Sequence, residues 1–386
     1  MDRTHSHDVI VVGAGAIGLS IAWRAAQSQM HVALVDPTPG QGASWAAAGM
    51  LAPVSEIHYG EEALLALNLA SSSRWPAFAA ELEATTGRDV GYLRSGTLLV
   101  ASDASDREWA QQLFSYQKEL GLDVQWMSGR HLRELEPNVS PATSAGLHVP
   151  GDHQVDNRRL VEALIDAART CGCCFYRSRA FLETAAATVT GVRLEDGETL
   201  EAPSVVLAAG AWSGQVGGIA EAARPAVRPV KGQILRLRSS GSPRLLTRCV
   251  RGLVGGADLY IVPRSDGSVV VGSTVEEMGF DTTVTAGAVY ELLRDARRVV
   301  PGIAELELAE LLAAARPGSP DNAPIIGEVA SEVASGLILA TGHYRNGILL
   351  TPVTSEAVVS MLTGRGAPEE VEAFSPSRFE VSSWSR

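Results

Sequence analysis

The chain is short of the features that would place it outside ordinary soluble globular proteins. Cysteine is scarce: four in 386 residues, at Cys171, Cys173, Cys174 and Cys249. So few, bunched and remote, do not make a disulfide framework, and free, inert thiols are the expectation. No second Cys-x-x-Cys pair or histidine partner stands at zinc spacing beside them, so no metal is expected. No apolar run approaches the about 18 residues of a membrane span. The polar start, Met1–Asp8, leads only into the short run Val9–Val12, too short for a signal-peptide core. The expectation is a cytoplasmic protein with no membrane partner. Basic residues are also in deficit, 32 Lys+Arg against 44 Asp+Glu, for a net charge of -12. That disfavours nucleic acid as a partner, since phosphate neutralisation dominates such binding. An anionic substrate would need local cations against this background. No Ser/His/Asp elbow is visible either.

What is present is glycine, 38 of them, in a chain that is 46% hydrophobic. Asp8–Val12 reads as a short apolar strand, Gly13–Gly18 as a glycine turn, Leu19–Gln29 as a helix and His31–Asp36 as a second strand. Such a β-α-β unit makes a parallel sheet. Further along, 61–84, 103–120, 157–170 and 286–300 read as helices. Strands are expected over 90–100, 175–182, 189–194, 205–208, 227–237 and 336–340. Leu259–Ser273 reads as two antiparallel strands around the Ser265-Asp-Gly turn. A final helix is expected from about Gly347 to Leu362. The fold class is therefore α/β plus α+β: a Rossmann-like dinucleotide domain with an interleaved antiparallel-sheet substrate domain. The first takes 1–85, 150–225 and 316–370, the second 86–149 and 226–315, with 371–386 as a C-terminal tail.

Gly13-Ala14-Gly15-Ala16-Ile17-Gly18 is a GxGxxG fingerprint. Its glycines serve the turn, backbone approach to a pyrophosphate, and helix–sheet packing, and the helix start offers unpaired N–H groups to phosphate. Asp36 ends the second strand, where a carboxylate takes ribose hydroxyls and repels a 2′-phosphate. Three more segments favour FAD over NAD. Ala43–Met50 is small and apolar enough for backbone to crowd a flat ring. Ser204–Gly210 and Gly336–Gly342 are buried strands ending in small residues, and the second leads through His343-Tyr344-Arg345-Asn346-Gly347 into the last helix. That helix start would face the negative end of a reduced flavin.

Five pieces carry a resemblance: Ala46–Leu51, Pro229–Gly232, Tyr260–Arg264, Arg316–Gly318 and Gly342–Leu350. On these the chain resembles the FAD-dependent D-amino-acid oxidase family, in its glycine-oxidase branch, over nearly its whole length. The resemblance implies FAD contacts from Ala16, Ile17, Asp36, Ala43, Ser44, Ala48, Gly49, Met50, the backbone of Ala180, and the loop His343–Leu349, including Ile348. With the fingerprint residues, Pro37 and Gly210, these make the expected cofactor site. Some relatives attach flavin through a cysteine near the position of Arg316; this chain has none after Cys249, so non-covalent FAD is implied. Pro37 stands where relatives carry a serine, and Asp258 and Val275 also depart from pocket residues; Val275, with Tyr260 and the loop near Met50, is expected to wall the side-chain side of a small substrate pocket.

Arg316, Arg345 and Tyr260 are the implied substrate residues. Arginine suits an α-carboxylate because its planar fork pairs bidentately. For Arg345 a flavin contact or an ion pair remains open, and for Tyr260 a pocket wall or a half-buried strand residue. His343 has a general-base reading that hydride transfer does not need. No side chain is assigned a catalytic role beyond binding; the flavin carries the chemistry. The implied activity is oxidative deamination of glycine, sarcosine and D-alanine with molecular oxygen, giving imine or oxo acid, ammonia and peroxide, for thiamine thiazole synthesis. The alternatives are an FAD dehydrogenase using another acceptor, an NAD dehydrogenase, and a non-catalytic flavin protein. A homo-oligomer is left open.

Overall fold

A computed structural model describes residues 5–239 and 244–379. Its first layer is a six-stranded sheet in the order Ile325–Glu328, Leu337–Thr341, Val205–Leu207, Val9–Val12, Val32–Val35, Cys174–Tyr176. All pairs are parallel except the Ile325–Glu328 edge. The central strands are runs of Val, Ile and Leu because both faces are covered. Alternation splits them: Val9 and Val11 face a helical layer, Ile10 and Val12 the opposite layer. The helices are Ala16–Gln27, Asn157–Thr170, Thr351–Leu362 and the long Glu62–Thr86. The opposite face is closed by a four-stranded sheet that includes Ala180–Ala185, Thr188–Leu194 and Thr199–Glu201.

The second body is an eight-stranded sheet. It runs Glu307–Gly318, Arg228–Arg238, Val269–Gly272, Ala257–Pro263, Cys249–Val254, Thr97–Ala101, Ala145–Val149, Gln125–Ser128. The helix Ala286–Val299 buries Leu292, Ala296 and Val299 on one face, against Leu235, Ile261 and Val271. Ala104–Glu119 packs on the other face against Leu99 and Leu147.

Several expectations need correction. The sheet is not wholly antiparallel: Cys249–Val254 pairs parallel with Thr97–Ala101. The strand expected over 175–182 is two strands in different sheets, Cys174–Tyr176 and Ala180–Ala185, separated by a bend at Ser178. The strand expected over 90–100 is confined to Thr97–Ala101, because Gly91 and Gly96 take positive φ of 67° and 73°. The last helix begins at Thr351 with Pro352 in its first turn, preceded by a 3-10 turn at Tyr344–Asn346. The boundary expected at 315/316 falls inside the strand Glu307–Gly318, which pairs with Arg228–Arg238 as far as Gly318. Residues 371–379, read as tail, are docked: Val371 and Phe374 are buried, and the Phe374 carbonyl accepts from Ile326 N. The remainder of that tail, 380–386, lies outside the described residues. Of the cysteines, Cys173 and Cys249 are buried, their thiols pushed up to about 12 by burial, but Cys174 is exposed. No helix among the described residues is long and apolar enough to cross a membrane.

Candidate active site

A cleft of about 1040 Å³ runs between the two bodies. Every residue expected at the cofactor lines it except Ala14, Gly18, Asn346 and Leu349. Those four stand behind the wall and shape it. Gly13 has φ +106°, and a side chain there would overlap the Ala208 carbonyl. A Cβ at Gly18 would overlap the Gly13 carbonyl, so helix and turn pack backbone to backbone. The Ala14 amide donates to Asp36 Oδ2 at 2.7 Å, and Thr38 N donates to Oδ1 at 2.7 Å, which fixes the carboxylate at the strand end. Helix Ala16–Gln27 has Gly15 at its N-cap with no side-chain cap, and Ser44 Oγ accepts from Ala16 N at 2.9 Å. A helix start with no side chain at its own N-cap, behind a glycine turn, fits a pyrophosphate.

The segment 43–50 begins as the short helix Ala43–Ala46 and is held by its carbonyls. Asn157 Nδ2 donates to Ser44 O and Trp45 O at 2.8 and 2.9 Å. Arg264 Nη2 donates to Ala48 O at 2.7 Å and to Asn157 Oδ1 at 3.0 Å, and Arg236 Nη2 reaches the same Oδ1 at 3.1 Å. Gly49 has φ +72°; its carbonyl accepts from Val155 N at 2.8 Å, and a Cβ would overlap the Val155 carbonyl. Burial, then Arg158 and Arg264, push the Arg236 guanidinium down to about 10; burial likewise lowers Arg264. Sequence reasoning missed Asn157, Arg236 and Arg264 as supports of this loop. The one available signal was an arginine closing the apolar strand Tyr260-Ile-Val-Pro.

The loop after Leu337–Thr341 turns at Gly342, φ +71°, and is pinned where Ser71 Oγ and Trp75 Nε1 donate to Leu349 O at 2.7 and 2.9 Å. His343 is buried, its ring nitrogen 3.0 Å from Thr354 Oγ1, and burial pushes its pKa down to about 3. A neutral imidazole engaged with Thr354 leaves the backbone of this loop to the cleft.

At the other end, two side chains lie flat over glycines. Arg316 extends across Gly232, where a Cβ would overlap its guanidinium, and Tyr260 covers Gly272, where a Cβ would stand 2.5 Å from its hydroxyl. Arg316 donates to Thr274 O at 3.1 Å, to Lys231 O at 3.4 Å and to Ser273 Oγ. Ser273 follows Gly272 in the chain, so guanidinium and phenol converge on one spot. Among the described residues Arg316 makes no ion pair. Arg345, by contrast, is paired with Glu61. Val275 lines the cleft but is 64% exposed, so it forms the mouth and not the close wall expected of it. The segment carrying it is fastened by buried Lys231, whose Nζ is 3.4 Å from Glu276 and 3.8 Å from Asp281.

Comparison with known proteins agrees with this geometry. The profile of the family described as FAD dependent oxidoreductase (DAO) matches residues 8–361. A glycine oxidase of Geobacillus kaustophilus is 34% identical over 377 residues, 97% of this chain and 98% of that one. A Synechocystis protein named bifunctional protein ThiO/ThiG is 33% identical over 379 residues, 96% of this chain but 54% of its own length. The crystal structure of the glycine oxidase from Geobacillus kaustophilus superposes with a TM-score of 0.87, covering 96% of this chain and 98% of that one at 34% identity. The chain therefore belongs to the FAD dependent oxidoreductase family of D-amino-acid oxidase type, and FAD is its cofactor.

Proposed function

We propose that the enzyme oxidises glycine and small amines such as sarcosine and D-alanine. The single observation behind this is the convergence over the glycine floor of Tyr260 and of Arg316, which has no ion-pair partner among the described residues. Arg316 receives the α-carboxylate through a charge-assisted, two-pronged contact, and Tyr260 bounds the same group. Bound FAD would supply the acceptor for a hydride leaving the substrate Cα. The protein's part is to hold the neutral amine, anchored by its carboxylate, with one Cα hydrogen turned toward the part of the cleft lined by 43–50 and His343–Ile348, the segments that would hold FAD. Small residues there, Ala46, Ala47, Ala48 and Gly49, let backbone line the cleft closely. Hydrolysis of the imine gives an oxo acid and ammonia, or methylamine from sarcosine, and oxygen would take the electrons as hydrogen peroxide. Similarity to a glycine oxidase supports the substrate, and similarity to ThiO/ThiG supports thiamine thiazole synthesis as the proposed destination.

The remaining fingerprint and loop residues are proposed to contact FAD, without a covalent bond. Residues 1–85, 150–225 and 319–379 are read as the cofactor unit, and 86–149 with 226–318 as the substrate unit, since the strand Glu307–Gly318 belongs to the eight-stranded sheet. The test is anaerobic bleaching of the flavin by each amine, then admission of air. Glycine, sarcosine and D-alanine should bleach it, L-alanine should not, and air should yield stoichiometric peroxide. Equal reduction by L-alanine would refute the orientation. Bleaching that air does not reverse would point instead to a dehydrogenase using another acceptor.

A further inference from the structure

The substrate end of the cleft carries more charge than an amino-acid carboxylate needs. Arg251 and Glu56 are paired at 3.1 Å, with little of either side chain exposed, and Arg345 is paired with Glu61. These four cancel. Burial and the Arg345 charge hold His58, also on the wall, below its ordinary range and therefore neutral near pH 7. Two charges are left without a salt bridge among the described residues: Arg316 and Asp258. Asp258 is exposed and lines the cleft within electrostatic reach of His58, and its carboxylate makes no hydrogen bond or salt bridge among the described residues. It lies in the strand Ala257–Pro263, two positions from Tyr260. Two positions along a strand put side chains on the same face, about 7 Å apart. A substrate anchored by its carboxylate at Arg316 and Tyr260 thus has an uncompensated anion about one short side chain away. The overall charge of -12 reinforces the sign of that field.

We propose that Asp258 is a specificity-determining residue that receives a cationic group at the far end of the substrate, so that beyond glycine the preferred substrates are D-amino acids bearing a second amino group. This rests on the reading of Arg316 as the carboxylate anchor. Chain ends with a carboxylate are disfavoured by the same charge. An exposed pair is worth little in absolute terms, so the preference is modest.

The experiment compares kcat/KM for anaerobic flavin reduction of the holoenzyme by D-ornithine, D-norvaline and D-glutamate. D-norvaline is D-ornithine without the terminal amine. Wild type, Asp258→Asn and Asp258→Lys are each measured, and ratios are taken within one enzyme so that folding and flavin occupancy cancel. Wild type should prefer D-ornithine to D-norvaline by about fivefold. The ratio should approach one in Asp258→Asn, and the order should invert toward D-glutamate in Asp258→Lys. A wild-type ratio near one, or a ratio that Asp258→Asn leaves unchanged, would overturn the proposal. Glycine, run in parallel on wild type, reports separately on the anchor. Bleaching by D-ornithine but not by glycine would refute the glycine reading and support the distal carboxylate, whereas no bleaching by any amine would refute both.

Discussion

The two ends of the cleft are built on opposite plans. At the nucleotide end the working groups are backbone, and glycines and alanines let them approach: Gly13, Gly18 and Gly49 each face a carbonyl that a side chain would strike. Side chains there act from behind, as Arg264, Arg236 and Asn157 do by holding the carbonyls of 43–50. At the substrate end the working groups are side chains, Arg316 and Tyr260, and glycines serve as the floor beneath them. Glycine is thus used for backbone reach at one end and for side-chain clearance at the other. Substitutions of the same kind should therefore fail in different ways at the two ends.

The largest effect should come from Gly13→Ala. Its φ of +106° and the overlap with the Ala208 carbonyl leave no small adjustment, so the fingerprint turn must open. The protein should purify colourless or not fold. A full flavin absorbance ratio would break the comparison at its first term.

Gly232→Ala should strike the other end alone. The added methyl displaces the Arg316 guanidinium, and loss of a charge-assisted bidentate contact typically costs several kcal/mol. A fall in kcat/KM for glycine of about 10²-fold is expected, with flavin content retained. Loss of flavin together with activity would show that the two ends are not separable.

Arg345→Ala should matter less, about tenfold in kcat/KM, because its charge is already neutralised by Glu61. Glu61→Gln sharpens the point. If freeing Arg345 in this way raises affinity for substrate carboxylate, Arg345 is a reserve cation and not a spent one. A loss for Arg345→Ala as large as that of Gly232→Ala would contradict the ranking.

The smallest effect concerns pH. Burial depresses the folded pKa of His343 to about 3, while the unfolded residue titrates near 6.5. The unfolded state binds more protons between those values, so stability is full above about 6.5 and is lost as pH falls through the window. The slope from this one group is at most about 1.4 kcal/mol per pH unit. His343→Gln should flatten the fall in Tm between pH 6.5 and 5. An unchanged slope would mean that His343 is not the group responsible.

The same contrast explains what was legible in the chain. The nucleotide end is written locally: Gly13–Gly18, the strand before it and Asp36 lie within one β-α-β unit, so spacing alone located them. The substrate end is assembled from strands that follow the order Glu307–Gly318, Arg228–Arg238, Val269–Gly272, Ala257–Pro263, and no local pattern reveals which residues meet across it. Arg316 and Tyr260 were visible only through resemblance, and their floor glycines not at all. Val275 was misplaced because a β-branched residue reads the same at a mouth as at a wall. The ion pair of Arg345 joins residues 284 positions apart, beyond any periodicity. Arg264 was hidden for the opposite reason, since a charged residue ending a strand ordinarily marks a surface turn, whereas here it is 4% exposed.

The central claim is that Arg316, laid over Gly232, anchors the carboxylate of the molecule being oxidised. Its most direct test is stopped-flow reduction of the bound flavin by glycine in Arg316→Met, reconstituted with FAD and kept free of oxygen. The account expects normal flavin content and a kcat/KM for reduction lower by about 10²-fold or more. Reduction at a near wild-type rate would place the carboxylate elsewhere and contradict it.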